Sequence, residues 1–137
     1  MRDIVLLGLN HKTASVHVRE CIAFTEDETE RALSLLRDNA AIKEAVLFST
    51  CNRVELLMTV DEQEEGIVAA KRFLADFKKV PLDRFDDALY IYRGDDAVRH
   101  TFQVASSLDS MVVGEPQILG QMKTSYRQAT VARTSGV

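Results

Sequence analysis

Residues 45–60 read AVLFSTCNRVELLMTV, and this stretch decides the fold because two apolar runs flank a short polar interruption. Short apolar runs rich in branched and aromatic residues are typical of buried strands. The spacing predicts a strand over 45–48 and a second over 54–60, joined closely enough to pair. The connection, STCNR at 49–53, places a thiol and a guanidinium at the end of a strand, where loops can shape a pocket.

Outside this stretch, the sequence alternates strand-like and helical segments. IVLLGL at 4–9 predicts the first strand, and Thr25 with Glu28 has the spacing of a capping box that opens a helix. Apolar residues three or four positions apart indicate the other helices. The predicted elements are strands over 4–9, 45–48, 54–60 and 88–92, and helices over 16–23, 25–39, 61–79, 95–108 and 116–129.

This order predicts an α+β fold, a ferredoxin-like βαββαβ antiparallel sheet with additional helices. The helix over 95–108 is expected to turn one face to the core and to carry a stripe of polar residues on another face. On spacing alone a solvated stripe is favoured over a polar pocket lining. The predicted core face consists of Val98, Phe102 and Ala105, and the polar stripe consists of His100, Gln103 and Ser107.

Length and composition bound the kind of protein. The chain has 137 residues, 46% of them hydrophobic, which suits one globular domain. A formal net charge of −4 argues against a surface dominated by phosphate contacts. No apolar run has the length needed to cross a bilayer. Two cysteines, Cys21 and Cys51, are too few for a disulfide framework, so we expect free thiols in a cytoplasmic protein.

The polar interruption at 49–53 carries the candidate chemistry. Arg53 lies two residues from Cys51, so its charge favours a thiolate there, or its planar donors grip a substrate carboxylate. Asn52 and the local backbone amides are candidates to hold an oxyanion. The alternative is that Cys51 is a buried structural cysteine beside a turn. Cys21, between acidic and apolar neighbours, is expected to serve packing.

A second unusual stretch is LDSMVVGEPQILGQ at 108–121, which breaks a helix and contains two glycines. It sets polar side chains around a predicted helix N-terminus, where free backbone amides favour anions. An ordinary helix–helix turn is the alternative. No pair of cysteines or histidines has metal-ligand spacing, so no metal site is predicted.

Three blocks of sequence together resemble the glutamyl-tRNA reductase family. They are GLNHKTA at 8–14, STCNR at 49–53 and VASSLDSMVVGEPQILGQ at 104–121. Their order is preserved over nearly the whole chain. Departures are mild, with Ser15 where the family often has Pro and Ser107 where it often has Gly.

The resemblance implies a two-stage reaction. A Cys51 thiolate attacks the ester carbonyl of glutamyl-tRNA(Glu), and hydride from NADPH reduces the thioester to glutamate-1-semialdehyde, the precursor of 5-aminolevulinate and tetrapyrroles. A thiol suits the first step because a covalent intermediate divides one difficult step into two. His100 matches a histidine important for activity, in a supporting polar or acid–base role. The family's substrate-binding positions match Thr50, Asn52, Arg53, Ser110, Glu115, Pro116, Gln117 and Gln121.

Family members are longer, with an NADPH-binding domain and a dimerisation domain after this region. Residues 1–137 are expected to be the catalytic domain alone, because no Gly-x-Gly-x-x-Gly follows a strand. We expect it to form an acyl-enzyme without reducing it. The implied partners are glutamyl-tRNA(Glu), a second copy in a homodimer, and glutamate-1-semialdehyde aminomutase for product hand-over.

Two other functions fit the same residues. One is a non-catalytic ferredoxin-like binding module in which Cys51 is structural. The other is a different cysteine-dependent acyl transferase or hydrolase that uses Cys51 and His100.

Overall fold

A computed structural model describes residues 3–111, with side chains described through residue 106. Every element predicted within these residues is present, which confirms the α+β class. Among residues 3–111, no helix combines the length and the hydrophobicity that a membrane span requires. The strands and α-helices are β1 (Asp3–Asn10), α1 (Val16–Ile22), α2 (Glu26–Arg37), β2 (Glu44–Ser49), β3 (Arg53–Val60), α3 (Gln63–Lys78), β4 (Tyr90–Arg93) and α4 (Asp95–Met111).

The four strands form one sheet in the order β2-β3-β1-β4, and every neighbouring pair is antiparallel. β1 and β3 pair along their whole length, from Asp3 opposite Val60 to Asn10 opposite Arg53. The end of β1 therefore lies beside the start of β3. This register brings the first two sequence blocks, 8–14 and 49–53, to the same end of the sheet.

Helices α1, α2 and α3 cover one face of the sheet and enclose the main core. Alternate strand residues point to this face, as a strand packed on one side requires. The helices contribute the apolar positions that their spacing predicted, including Leu33 and Leu36 of α2. The strand residues of this core are Val5, Leu7, Leu9, Ala45, Leu47, Val54, Leu56, Met58 and Val60.

Helix α4 covers the other face, but with a different side than the sequence predicted. Val98 is 36% exposed and Phe102 is 68% exposed, so the predicted core face of this helix is wrong. Ala97 and Val104 are buried instead, and His100 is turned towards the sheet. The reason is the sheet surface below, which presents a carboxylate that binds the histidine.

Gly94 sets the direction of α4. Its φ of 58° lies in the left-handed region that favours glycine, and its backbone N–H donates to the Ile4 carbonyl at 2.8 Å. α4 thus begins beside the start of β1 and runs towards the end that carries Asn10. It continues to Met111 rather than ending near Leu108. The third sequence block begins at Val104, within α4. Because α4 runs towards the end of the sheet that carries the first two blocks, it brings the third block towards them.

The predicted capping box of α2 is confirmed and is joined to α3 by an ion pair. Thr25 accepts from the Glu28 backbone and Glu28 accepts from the Thr25 backbone. The Lys78 ammonium donates to Glu28 at 2.9 Å and to the Ala23 carbonyl at 2.7 Å. The hydrogen bond from Lys78, with that from the Thr25 backbone, lowers the pKa of Glu28. This carboxylate therefore stabilises the fold when it is ionised.

Glu28→Gln should destabilise the chain in a pH-dependent way. Glutamine can keep the capping box but loses the ion pair with Lys78, so we expect a loss of about 0.5–1 kcal/mol at pH 7. Because the folded-state pKa of Glu28 is lowered, its contribution is present above the unfolded pKa and fades as the pH falls. Urea midpoints should differ at pH 7 and converge in acid. Glu30→Gln, at an exposed α2 position, is the control, and a pH-independent difference for Glu28→Gln would contradict the assignment.

Candidate active site

Cys51 lies at the tip of the turn between β2 and β3. The Thr50 backbone N–H donates to the Arg53 carbonyl at 2.7 Å, and the Asn52 N–H donates to Thr50 Oγ1 at 3.1 Å. These bonds close a tight hairpin and leave the thiol exposed. Exposure excludes the alternative of a buried structural cysteine. Thr50 therefore contributes to the geometry of the turn through both its backbone and its side chain.

Neighbouring loops anchor this hairpin. Ser49 Oγ accepts from the Phe24 backbone N–H at 3.0 Å, which ties the end of β2 to the segment before α2. At the end of β1, Asn10 Oδ1 accepts from the backbones of Lys12 and Thr13 at 2.9 and 3.2 Å. Asn10 thus forms a self-capped turn of the kind its residue type favours. The first sequence block gives the hairpin a fixed neighbour.

Glu55 is the centre of the most concentrated polar cluster beside the hairpin. Its side chain is 7% exposed, and its Oε2 accepts from Arg53 Nη1 at 3.0 Å and from the Tyr90 hydroxyl. His100 Nε2 lies 2.6 Å from the same oxygen. Three elements, β3, β4 and α4, therefore meet on one carboxylate oxygen. The sequence predicted Arg53 and His100 as site residues but missed Glu55 and Tyr90.

Gly8 makes room for this carboxylate. In the sheet register, Glu55 stands opposite Gly8, which in turn stands opposite Tyr90. A Cβ on Gly8 would lie 2.8 Å from Glu55 Cγ and 2.8 Å from the Val54 carbonyl oxygen, closer than atoms pack. The absence of a side chain at this position of the first sequence block therefore leaves space for both the Glu55 side chain and the Val54 carbonyl.

Two tyrosines of β4 complete the surroundings of His100. The Tyr92 ring stacks on the imidazole with centroids 4.5 Å apart, and the Tyr90 ring lies 5.3 Å away. Burial, with a further contribution from the Glu55 charge, raises the pKa of Tyr90 far above its ordinary value. Tyr90 therefore keeps its proton and serves as a hydrogen-bond donor to Glu55.

The predicted site residues fall into three groups. Thr50, Cys51 and Asn52 form the hairpin tip, whereas Arg53 and His100 meet at Glu55. Ser110 lies within α4, where the sequence predicted a break, and its side chain is outside the described residues. The remaining predicted positions, also outside the described residues, are Glu115, Pro116, Gln117 and Gln121.

The missed residues left a signal in the sequence. A glutamate inside an apolar strand run, VELLMTV at 54–60, needs a buried partner. Tyr90 and Tyr92 alternate with apolar Leu89 and Ile91, which marks a second covered face. Neither pattern identifies which residue Glu55 or Tyr90 contacts, because that contact depends on the order of the strands in the sheet.

The described residues do not fit the pyrophosphate of a dinucleotide cofactor. Such sites need glycines at a strand-to-helix turn, so that backbone amides approach the phosphates. Here the space beside Gly8 is filled by Glu55, and the space beside Gly66 is filled by Val60. Gly94 is a lone glycine in its turn.

Comparison with known proteins gives consistent matches. The family described as "Glutamyl-tRNAGlu reductase, N-terminal domain" matches residues 7–137. The glutamyl-tRNA reductase of Desulfatibacillum aliphaticivorans is 57% identical over 134 residues, 98% of this chain. That of Citrifermentans bemidjiense is 52% identical over 135 residues, also 98% of the chain. The solved glutamyl-tRNA reductase of Methanopyrus kandleri matches with a TM-score of 0.66 and 35% identity, over 98% of this chain and 30% of its own.

These relatives are much longer than the matched region. The chain spans 31% of the length of both curated relatives. The similarity therefore concerns about a third of each of these two relatives.

Proposed function

The chain belongs to the glutamyl-tRNA reductase family as its N-terminal domain, and on that premise we propose that it accepts the glutamyl group of glutamyl-tRNA(Glu) on Cys51. The observation that carries the proposal is the exposed thiol at the tip of a braced hairpin, next to a cluster that holds Arg53. The whole reaction would supply glutamate-1-semialdehyde for tetrapyrrole synthesis.

The proposed step is an acyl transfer. The Cys51 sulfur attacks the ester carbonyl carbon after the thiol proton is lost, and a carbon–sulfur bond forms. The bond between that carbon and the ribose oxygen breaks, and the released tRNA hydroxyl takes up a proton. The product is a glutamyl thioester, which stores the acyl group in activated form.

Two groups near the thiol have roles in this proposal. Arg53 is 22% exposed, and its Nη1 is held by Glu55 and Tyr90, so its other donors can receive a glutamyl carboxylate. The Asn52 backbone N–H is already used by Thr50, so we assign oxyanion binding to the Asn52 side-chain amide and the Cys51 N–H. His100 supports the site through Glu55.

Reduction by NADPH, homodimer formation and hand-over to an aminomutase remain predictions from the resemblance. The residues that the structure describes do not fit the dinucleotide, so the chemistry proposed for them ends at the thioester. Free thiols support a cytoplasmic location. The sheet order β2-β3-β1-β4 supports placing the fold in the ferredoxin-like class.

A covalent adduct is the direct test. After incubation with glutamyl-tRNA(Glu) labelled in the glutamyl group, the chain should carry one glutamyl group on Cys51, released by neutral hydroxylamine as expected of a thioester. Intact-mass and peptide mass spectrometry would locate it. tRNA(Glu) charged with glutamine serves as the substrate control. No adduct, or an adduct on another residue, would contradict the proposal, and equal labelling by simple thioesters would favour a general acyl transferase.

A further inference from the structure

We propose that Glu55 is a positioning residue that joins the Cys51 hairpin to helix α4. Its effect on acyl transfer rests on the proposed function, whereas its effect on His100 does not. One carboxylate oxygen fixes Arg53, the first residue of β3, and His100, near the middle of α4.

The contacts of Glu55 explain why one residue can have this effect. At 7% exposure, its carboxylate is removed from water and depends on protein partners. Arg53 and the Tyr90 hydroxyl donate to Oε2, and His100 shares that oxygen. Hydrogen bonds to a charged group are strong and directional, so they specify the orientation of each partner.

The partners of Glu55 lie on the parts of the chain that the site must bring together. Arg53 follows Cys51 by two residues, and α4 leads from His100 into the third sequence block. Cys51 is at the tip of an exposed hairpin, so contacts below the tip are needed to hold the hairpin in a fixed position relative to α4. Glu55 is shielded by its own partners and acts through them rather than on the substrate.

The first test is the NMR signature of His100. The chain has three histidines, and His11 and His17 are exposed, so they are internal references. In the wild type, the Tyr92 ring current should displace the chemical shifts of the His100 ring protons, because the two ring centroids are 4.5 Å apart. In Glu55→Gln and Glu55→Ala, we expect these signals to move towards those of His11 and His17 while amide spectra still show a folded chain.

The second test is the dependence of acylation on substrate concentration. We expect Glu55→Gln to raise the half-saturating glutamyl-tRNA concentration by about 10- to 100-fold through loss of Arg53 orientation, with a smaller change in the maximal rate. A purely structural defect would instead lower the amount of active protein without changing half-saturation. Glu64→Gln is the matched control, since it removes an exposed ion pair with Arg93 at the opposite end of the sheet.

The two tests separate the two proposals. If the wild type forms no adduct, the proposed function fails, and the NMR arm still decides the role of Glu55. Unchanged His100 signals in folded Glu55→Gln would overturn the positioning role, as would unchanged half-saturation in a variant of an active chain. The positioning role would be supported if, in Glu55→Gln, the His100 signals move towards those of His11 and His17 and the half-saturating glutamyl-tRNA concentration rises. If Glu55→Ala does not fold, Glu55→Gln, which keeps the side-chain volume, carries both tests.

Discussion

Cys51→Ala should lower the rate of glutamyl transfer to the chain by at least about 1,000-fold, a loss of roughly 4 kcal/mol in transition-state stabilisation. The substitution removes the sulfur that forms the covalent bond, and no other group at the hairpin tip can replace it. Because Cys51 is exposed, its truncation should change the free energy of unfolding by less than about 0.5 kcal/mol. The measurement is the single-turnover rate of label transfer, with denaturation midpoints measured in parallel.

Cys21→Ala is the matched control for this prediction. Cys21 is the other free thiol, but it is partly buried on α1 and packs against the main core. Its removal should leave labelling at the wild-type rate, with at most a modest loss of stability. Full labelling of Cys51→Ala together with loss of label from Cys21→Ala would show that Cys21, and not Cys51, accepts the glutamyl group.

Cys51→Ser adds an independent comparison. A hydroxyl is a much weaker nucleophile than a thiolate, so any adduct should form slowly. It would be an oxygen ester, which resists neutral hydroxylamine better than a thioester does. A slow, hydroxylamine-resistant adduct at residue 51 would therefore locate the substrate carbonyl at that position.

Local signals in the sequence were sufficient to predict most of the secondary structure. Thr25 and Glu28 form the predicted capping box, because both partners of a capping box lie within one helical turn. Residues 54–60 alternate between two covered faces, and their apolar run correctly indicated a strand. Signals of this kind depend only on neighbours in the chain, so they can be recognised without knowing the fold.

The polar cluster could be predicted only in part, because its members meet through strand order. Glu55 reaches Tyr90 across β1, and the two are 35 residues apart in the chain. The same cause explains the error on α4, where hydrophobicity favoured Val98 and Phe102 as the buried face. Glu55 lies under the helix, and His100 is turned towards it while Val98 and Phe102 stay exposed. The orientation of α4 is thus set by a partner on another strand.

Gly8→Ala should disturb the fold and the site together. The new methyl group would lie 2.8 Å from both Glu55 Cγ and the Val54 carbonyl oxygen, and neither can move far inside a central strand pair. Overpacking of this kind costs about 1–3 kcal/mol. Since one of the two obstructing atoms belongs to Glu55, its contacts with Arg53 and His100 should weaken as well. Denaturation midpoints and the His100 ring signals would measure the two effects on the same sample.

Gly66→Ala distinguishes the two effects because it overpacks the opposite face of the sheet. Its methyl group would lie 2.4 Å from Val60 Cγ1, in the core between α3 and β3, away from Glu55. It should lower stability by a comparable amount and leave the His100 signals unchanged under folding conditions. If Gly8→Ala also leaves them unchanged, Glu55 has room to move aside, and the glycine would matter for strand packing alone. If only Gly8→Ala displaces them, the empty space at Gly8 is a requirement of the carboxylate that connects β3 to α4.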